Sequence, residues 1–460
     1  MKIPSAQIPH SLLIALTALM PITIMSSQGL PSALFYAAVL ASLIVLASQR
    51  LAGAGAGAGA GTGAGIEAGI RVGAGAGAGA GAASRSHAGL LACMAAPLIA
   101  VLWSAAVHRH LVGLDLEVAL RFFLGFWVLW LAYRAVAAQW LRLGFWGFVA
   151  ATGLAVAYIL VFAPVEETGR PQTSAIYNAV GYGSLTALLM TLCVLALRMP
   201  LAPRSGPANP WGIRLLLGLL ALAALVAVVA TQTRTAWMAI PVFVLIAGAL
   251  FIPPQKPVRL LAVALLGIVV LGALLASNST VQERAAEAYH EATTCTGEQN
   301  TANTSICIRF QLWRASLDML AKRPWAGTGS KRHFNDYLVA ESLPQGLVSA
   351  HVAENWGEPH NDLLLYLTSF GWPGGLALLL VYLGPAWVFG RRLLGADQPP
   401  AHRAAAAMGL AVCLGFLIFG LTETLFRSMR TVSFYTLCVA YFMALSEGAP
   451  PAAARPKYAS

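Results

Sequence analysis

Residues 359–390 read PHNDLLLYLTSFGWPGGLALLLVYLGPAWVFG. From Leu363 to Gly390 the stretch carries no charged residue. At about 1.5 Å per helical residue it is long enough to cross the roughly 30 Å of a bilayer's hydrocarbon core. Pro359, His360 and Asn361 close the polar segment 277–360, the one long water-facing piece of a chain otherwise built of apolar runs. Polar groups are costly in a bilayer and tend to mark function. Chemistry is therefore expected at the membrane surface, where that segment meets the helices.

Working outward, the rest of the chain repeats the apolar theme. Of 460 residues 58% are hydrophobic and only 10% charged, against about 25% charged in a soluble domain. Mean hydropathy is +0.71. Apolar runs long enough to span a bilayer lie near 11–28, 31–48, 89–107, 117–136, 139–162, 175–197, 212–231, 235–252, 258–276, 361–389, 402–423 and 429–446. In lipid each backbone amide must be satisfied within its own segment, so these runs are expected to be helices. The reading is an all-α polytopic membrane protein of about twelve spans. The first run lacks a clear small-residue cleavage site and is followed at once by another span, so it is expected to stay as the first membrane helix.

The net charge of +11 does not point to nucleic acid, because the basic residues are scattered over short loops. One side collects Lys2, Arg50, Arg134, Arg198, Lys256, Arg391 and Arg392 among others; the other holds Arg109, Arg170, Arg234, Arg427 and Arg430. The positive-inside rule makes the richer side cytoplasmic, with both termini on it. Spans one and two then fill 1–50, and a glycine–alanine linker 51–88. Spans three to nine fill 89–276, the large external loop 277–360, spans ten to twelve 361–446, and a cytoplasmic tail 447–460. Cys295 and Cys307 both fall in the external loop, an oxidising setting where a disulfide is expected. Within that loop Ile308, Leu312, Ala315 and Met319 recur at helical spacing, predicting an amphipathic helix that Pro324 ends. A second short helix is expected from Asp336 to Ser342. Gly371, Gly374 and Gly375 suit close helix approach, and Pro373 is expected to kink its span.

Several side chains sit where the apolar pattern does not ask for them. Arg234, in Thr231-Gln232-Thr233-Arg234-Thr235-Ala236, separates two spans joined by almost no loop. A snorkelling arginine usually has a longer polar loop to reach, so the reading here is functional. Arg170 follows Glu166-Glu167-Thr168-Gly169 and admits two readings, a surface ion pair or a site residue. Arg309 precedes the amphipathic helix and leans to function, whereas Lys331 and Arg332 read as a solvated pair. His360 is the candidate general base, because an imidazole ordinarily titrates near pH 6.5; its bland alternative is a helix-capping histidine. No HExxH, DxD or dense acidic cluster suggests a metal. Arginines can hold a phosphate bidentately instead.

At this point a resemblance is visible. His360-Asn361, nine residues, then Gly371-x-x-Gly374-Gly375 is similar to a signature of bacterial O-antigen ligases, relatives of O-antigen polymerases and protein O-oligosaccharyltransferases. The Arg234 setting resembles the superfamily's Ser/Thr-Arg-x-Ala element. Arg309 through Gly329 (Arg-x3-Trp-x3-Leu-x6-Pro-x2-Gly-x-Gly) resembles a stretch of its large loop. The resemblance implies a GT-C-type glycosyltransferase of the Gram-negative inner membrane, its site facing the periplasm. The implied donor is O-antigen on undecaprenyl diphosphate, the implied acceptor a sugar hydroxyl of lipid A–core, and no cofactor or metal is expected. His360 and Arg234 would be catalytic, and Arg234, Arg309 and Arg170 would hold the donor diphosphate. Asn361, Gly371, Gly374 and Gly375 would support the motif. A transporter would instead place polar groups at mid-span, often with internal repeats.

Overall fold

The computed structural model describes residues 8–57, 79–166, 169–201, 209–252, 257–277, 279–295, 303–395 and 397–447. Among them the fold is almost wholly helical, with one isolated bridge between Val165 and Pro171. Apolar helices come first: α1 (Ile8–Ile24), α2 (Leu30–Gly57), α3 (Gly79–His108), α4 (Gly113–Ala135), α5 (Ala138–Phe162), α6 (Ala179–Ala196), α7 (Pro210–Ala230), α8 (Arg234–Phe251) and α9 (Pro257–Ala276). The polar segment supplies α10 (Ser279–Thr294), α11 (Ser305–Lys322), a short helical stretch α12 at 334–342, and α13 (Ala350–Asn355). The bundle closes with α14 (Asp362–Leu394), α15 (Pro400–Phe419) and α16 (Met429–Glu447). Nine helices among the described residues are long and apolar enough to cross a membrane, which makes this a multi-pass membrane protein. The core of the glycine–alanine tract, 58–78, and the tail 448–460 lie outside the described residues. Within the expected linker 51–88, α2 runs on to Gly57 and α3 starts at Gly79. Alternating alanines, the best helix formers, offset the glycines there.

The centre of the bundle is α16, whose residues from Arg430 to Ser446 are all buried. Two of its hydroxyls are satisfied locally, Ser433 Oγ on Met429 O at 2.6 Å and Ser446 Oγ on Met443 O at 2.9 Å, while Thr436 Oγ1 is buried with no partner among the described residues. Around it Tyr382, Phe416, Phe426 and Tyr435 form an aromatic cluster, with Phe426 centroids 5.0 Å from Tyr382 and 5.1 Å from Tyr435. Phe426 belongs to the 420–428 connection between α15 and α16. Burying that ring anchors the connection at the end of the bundle that carries the polar segment. Arg121, unremarked in the sequence, pairs with Glu117 at 2.6 Å and donates to Met429 O at 3.0 Å, tying α4 to α16.

α14 is two helices in series. The break is at Gly371 (φ 69°, ψ −162°), not at Pro373 as its sequence suggested. Pro373 falls in the first turn of the second half, where its missing N–H costs nothing. A Cβ on Gly371 would stand 2.5 Å from Pro324 O and 2.6 Å from Trp325 C, so the 323–329 turn packs directly on the break. The contact is hydrogen-bonded: Trp372 N to Pro324 O at 2.8 Å, Thr328 N to Thr368 O at 2.8 Å and Gly329 N to Ser369 O at 3.0 Å. Gly374 lets the halves fold together, since a Cβ there would lie 2.4 Å from Tyr366 O. Gly371→Ala combines a nearly glycine-only backbone with a backbone collision and should cost about 2–4 kcal/mol. The expected result is a clear fall in thermal unfolding temperature in detergent. A variant unfolding with the wild type would show that the break adapts freely.

Candidate active site at the loop end of the bundle

His360 ends the polar segment in a left-handed conformation (φ 47°). The next two residues lock it down. Asn361 caps α14, its Oδ1 accepting from Leu364 N at 2.9 Å while its Nδ2 donates to Leu421 O at 2.9 Å. Asp362 is buried and accepts from Tyr382 OH at 2.8 Å and Phe426 N at 2.9 Å. From the other side Trp313 of α11 donates to Pro359 O at 3.0 Å. The amphipathic helix and the 420–426 connection thus hold the histidine between them.

The imidazole is bracketed by carboxylates. Its Nδ1 lies 3.8 Å from Glu358 Oε1 and 3.8 Å from Glu423 Oε2. These are contacts of charge rather than hydrogen bonds, and Nδ1 is buried with no hydrogen-bond partner among the described residues. Catalytic hydrogen bonds are often long without substrate and tighten in the working complex. Glu423 is itself held by Asn178 Nδ2 at 3.2 Å, and Asn178 Oδ1 caps α6 by accepting from Gly181 N at 2.7 Å.

Arg234 opens α8 from a strained turn in which Gln232 has φ 52°. The turn is stitched to α6 by Thr233 Oγ1 on Ala179 O at 3.1 Å, and Thr235 hydrogen-bonds Thr422 beside Glu423. Arg234 Nη2 lies 3.0 Å from Glu287 Oε2, and Nη1 3.9 Å from Glu291 Oε2, both on α10. Arg309 of α11 donates to Ser305 O at 3.2 Å and Ser305 Oγ at 2.6 Å, while its Nε is buried without a partner among the described residues. Burial pulls its pKa down from the ordinary arginine range; Arg234 pulls the same way, and Glu423 and Glu291 oppose them. Arg309 is therefore within electrostatic reach of both Arg234 and the Glu423 that flanks His360. Arg170 donates through Nε to Thr231 O at 3.0 Å, which draws it to the Arg234 turn. Glu167, one of its two expected surface partners, lies outside the described residues. α10 is joined to α11 by the Cys295–Cys307 disulfide, Cα atoms 5.3 Å apart.

His360, Arg234, Arg309 and Arg170 therefore gather at one end of the bundle. Gly371, Gly374 and Gly375 do not join them. A nine-residue helix, about 13 Å long, separates the glycines from His360, and their work is packing. Lys331 is not half of a solvated pair: it is 4% exposed, 3.1 Å from Phe426 O, 3.6 Å from Asp115 Oδ1 and 5.2 Å from the Tyr366 ring centroid. Burial lowers its pKa and Asp115 opposes the shift, because an ammonium in a dry site needs a counter-charge. Arg332 does face water. Glu423, Glu358 and Asp362 escaped the sequence reading, and Trp313 entered it only as a motif position. Glu423 had a legible signal, a carboxylate between Thr422 and Thr424 at the edge of an apolar run. Among the described residues no group of three or more His, Cys, Asp or Glu is placed to hold a metal ion.

Residues 219–379, which contain Arg234, Arg309, His360 and the glycines, match the protein family described as O-antigen ligase. The match supports the O-antigen ligase/polymerase superfamily. An uncharacterized protein of Haemophilus influenzae is 28% identical over 162 residues, which cover 35% of this chain and 39% of that relative's length.

Proposed function

We propose that this chain works as the O-antigen ligase its central segment matches. It would move a finished glycan from undecaprenyl diphosphate to a sugar hydroxyl of lipid A–core, at the periplasmic face of the Gram-negative inner membrane. The observation that carries the reading is the shared position of Glu423, 3.8 Å from His360 and within electrostatic reach of Arg309. It supports a base and an arginine cluster acting at one reaction centre. In this mechanism His360 takes the proton of the acceptor hydroxyl. The freed oxygen attacks the anomeric carbon, the bond from that carbon to the diphosphate oxygen breaks, and configuration inverts. Charge growing on the leaving diphosphate is met by Arg234 and Arg309, whose forks suit phosphate oxygens. Glu287 and Glu291 hold Arg234 until a diphosphate replaces them.

Membrane-embedded protein, lipid-linked glycan and lipid A–core, mixed and separated on a gel, test the assignment. Glycan added to the core supports it. Elongated lipid-linked glycan with unmodified core would make the protein a polymerase, and glycan on a protein hydroxyl an oligosaccharyltransferase. Because the arginines take the diphosphate's charge in this scheme, no metal is needed, and activity should persist in excess EDTA. Loss in EDTA, restored by a divalent ion, would overturn that part.

A further inference from the structure

A polar cavity is reached through Arg427, which pairs with the Glu358 beside His360. It measures about 460 Å³ and is lined by Asp115, Lys331, Arg332 and Arg427, with Leu114 and Val118 of α4 forming an apolar wall. We propose that it binds the phosphate-bearing headgroup of the lipid-anchored acceptor saccharide. This rests on the ligase reading.

Four observations lead there. The lining is cationic, three basic side chains against one carboxylate. Lys331 is buried, with Phe426 O at 3.1 Å and Asp115 Oδ1 beyond hydrogen-bond distance at 3.6 Å, so its ammonium keeps donor capacity toward the cavity. The Arg332 guanidinium makes no ion pair or hydrogen bond among the described residues. Finally, the cavity joins the reaction centre through one short relay: Arg427 Nη1 lies 2.5 Å from Glu358 Oε2, and Glu358 Oε1 lies 3.8 Å from His360.

The chemistry assigns the occupant. In a single displacement the nucleophile and leaving group stand on opposite faces of the anomeric carbon. Both Glu423 and Glu358 approach Nδ1 of His360 at 3.8 Å. Glu423 is also within electrostatic reach of Arg309, one of the diphosphate arginines, whereas Glu358 leads through Arg427 to this cavity. With the donor's leaving group assigned to the arginines, the acceptor is assigned to the cavity. Its apolar wall is the first turns of a membrane helix and its cations come from the polar segment and the 420–428 connection. That amphiphilic build suits a charged sugar on a lipid, and guanidinium suits phosphate in particular.

Arg332 is exposed and can be changed without disturbing the core. Wild type, Arg332→Ala and Arg332→Lys in lipid nanodiscs would be assayed with intact and with chemically dephosphorylated lipid A–core. Arg332→Ala should raise the KM for intact acceptor about tenfold, the worth of one charge-assisted contact, and leave donor KM alone. Lysine should restore part of the loss, and the dephosphorylated acceptor should erase the difference between variants. A shift in donor KM instead, an equal effect on both acceptors, or displacement of acceptor by phosphatidylglycerol at equal concentration would overturn the assignment. Direct binding of intact core to the same three proteins separates the two readings. If wild type transfers nothing yet binds core in an Arg332-dependent way, the ligase reading fails and the cavity assignment stands.

Discussion

His360→Asn should lower glycan transfer by about 10²–10⁴-fold while the protein remains folded in the membrane. Asparagine is the right replacement because position 360 has φ 47°, a conformation that asparagine tolerates and alanine does not. Alanine would add about 1–2 kcal/mol of backbone strain to the loss of the imidazole and confuse the two. The side chain is 21% exposed and makes no hydrogen bond through Nδ1 among the described residues, so removing it leaves the anchoring bonds of Asn361, Asp362 and Trp313 in place. The measurement is the rate in the reconstituted assay beside the thermal unfolding temperature. A folded variant that makes near-normal amounts of glycan-bearing lipopolysaccharide would sink the base assignment.

Arg234→Lys should cost about 10²–10³-fold in rate although the charge is kept. A guanidinium can meet two phosphate oxygens at once, and an ammonium cannot reproduce that fork. The arginine is also presented rigidly, from a turn fixed to α6 by Thr233 and to the 420–428 connection by the Thr235–Thr422 hydrogen bond. A lysine on the same backbone would still pair with Glu287 on α10, so stability should change little; the Arg234–Glu287 pair is half-exposed, and such pairs are worth at most about 1 kcal/mol. Steady-state kinetics over a range of lipid-linked donor decide the matter. Wild-type kcat and KM in the lysine variant would mean that Arg234 serves as a simple point charge.

The helical bundle was legible in the chain because hydropathy is additive along sequence. Each apolar run near 361–389, 402–423 or 429–446 declares its helix without reference to any other. His360, Arg234 and Arg309 were legible for a related reason: a polar group in an apolar setting stands out locally. Sequence alone therefore determined the class of protein, the segment that faces water and the residue types available for chemistry. Glu423 could not be placed from sequence, because it sits 63 residues beyond His360 and only the α15–α16 connection brings its carboxylate to the imidazole. The burial of Lys331 was equally hidden, since its counter-charge Asp115 lies on a distant helix. The break at Gly371 rather than Pro373 depended on a turn 47 residues earlier docking against it. Pairing of charges, backbone handedness and the shape of a cavity are properties of several segments at once, and only the tertiary structure decided them.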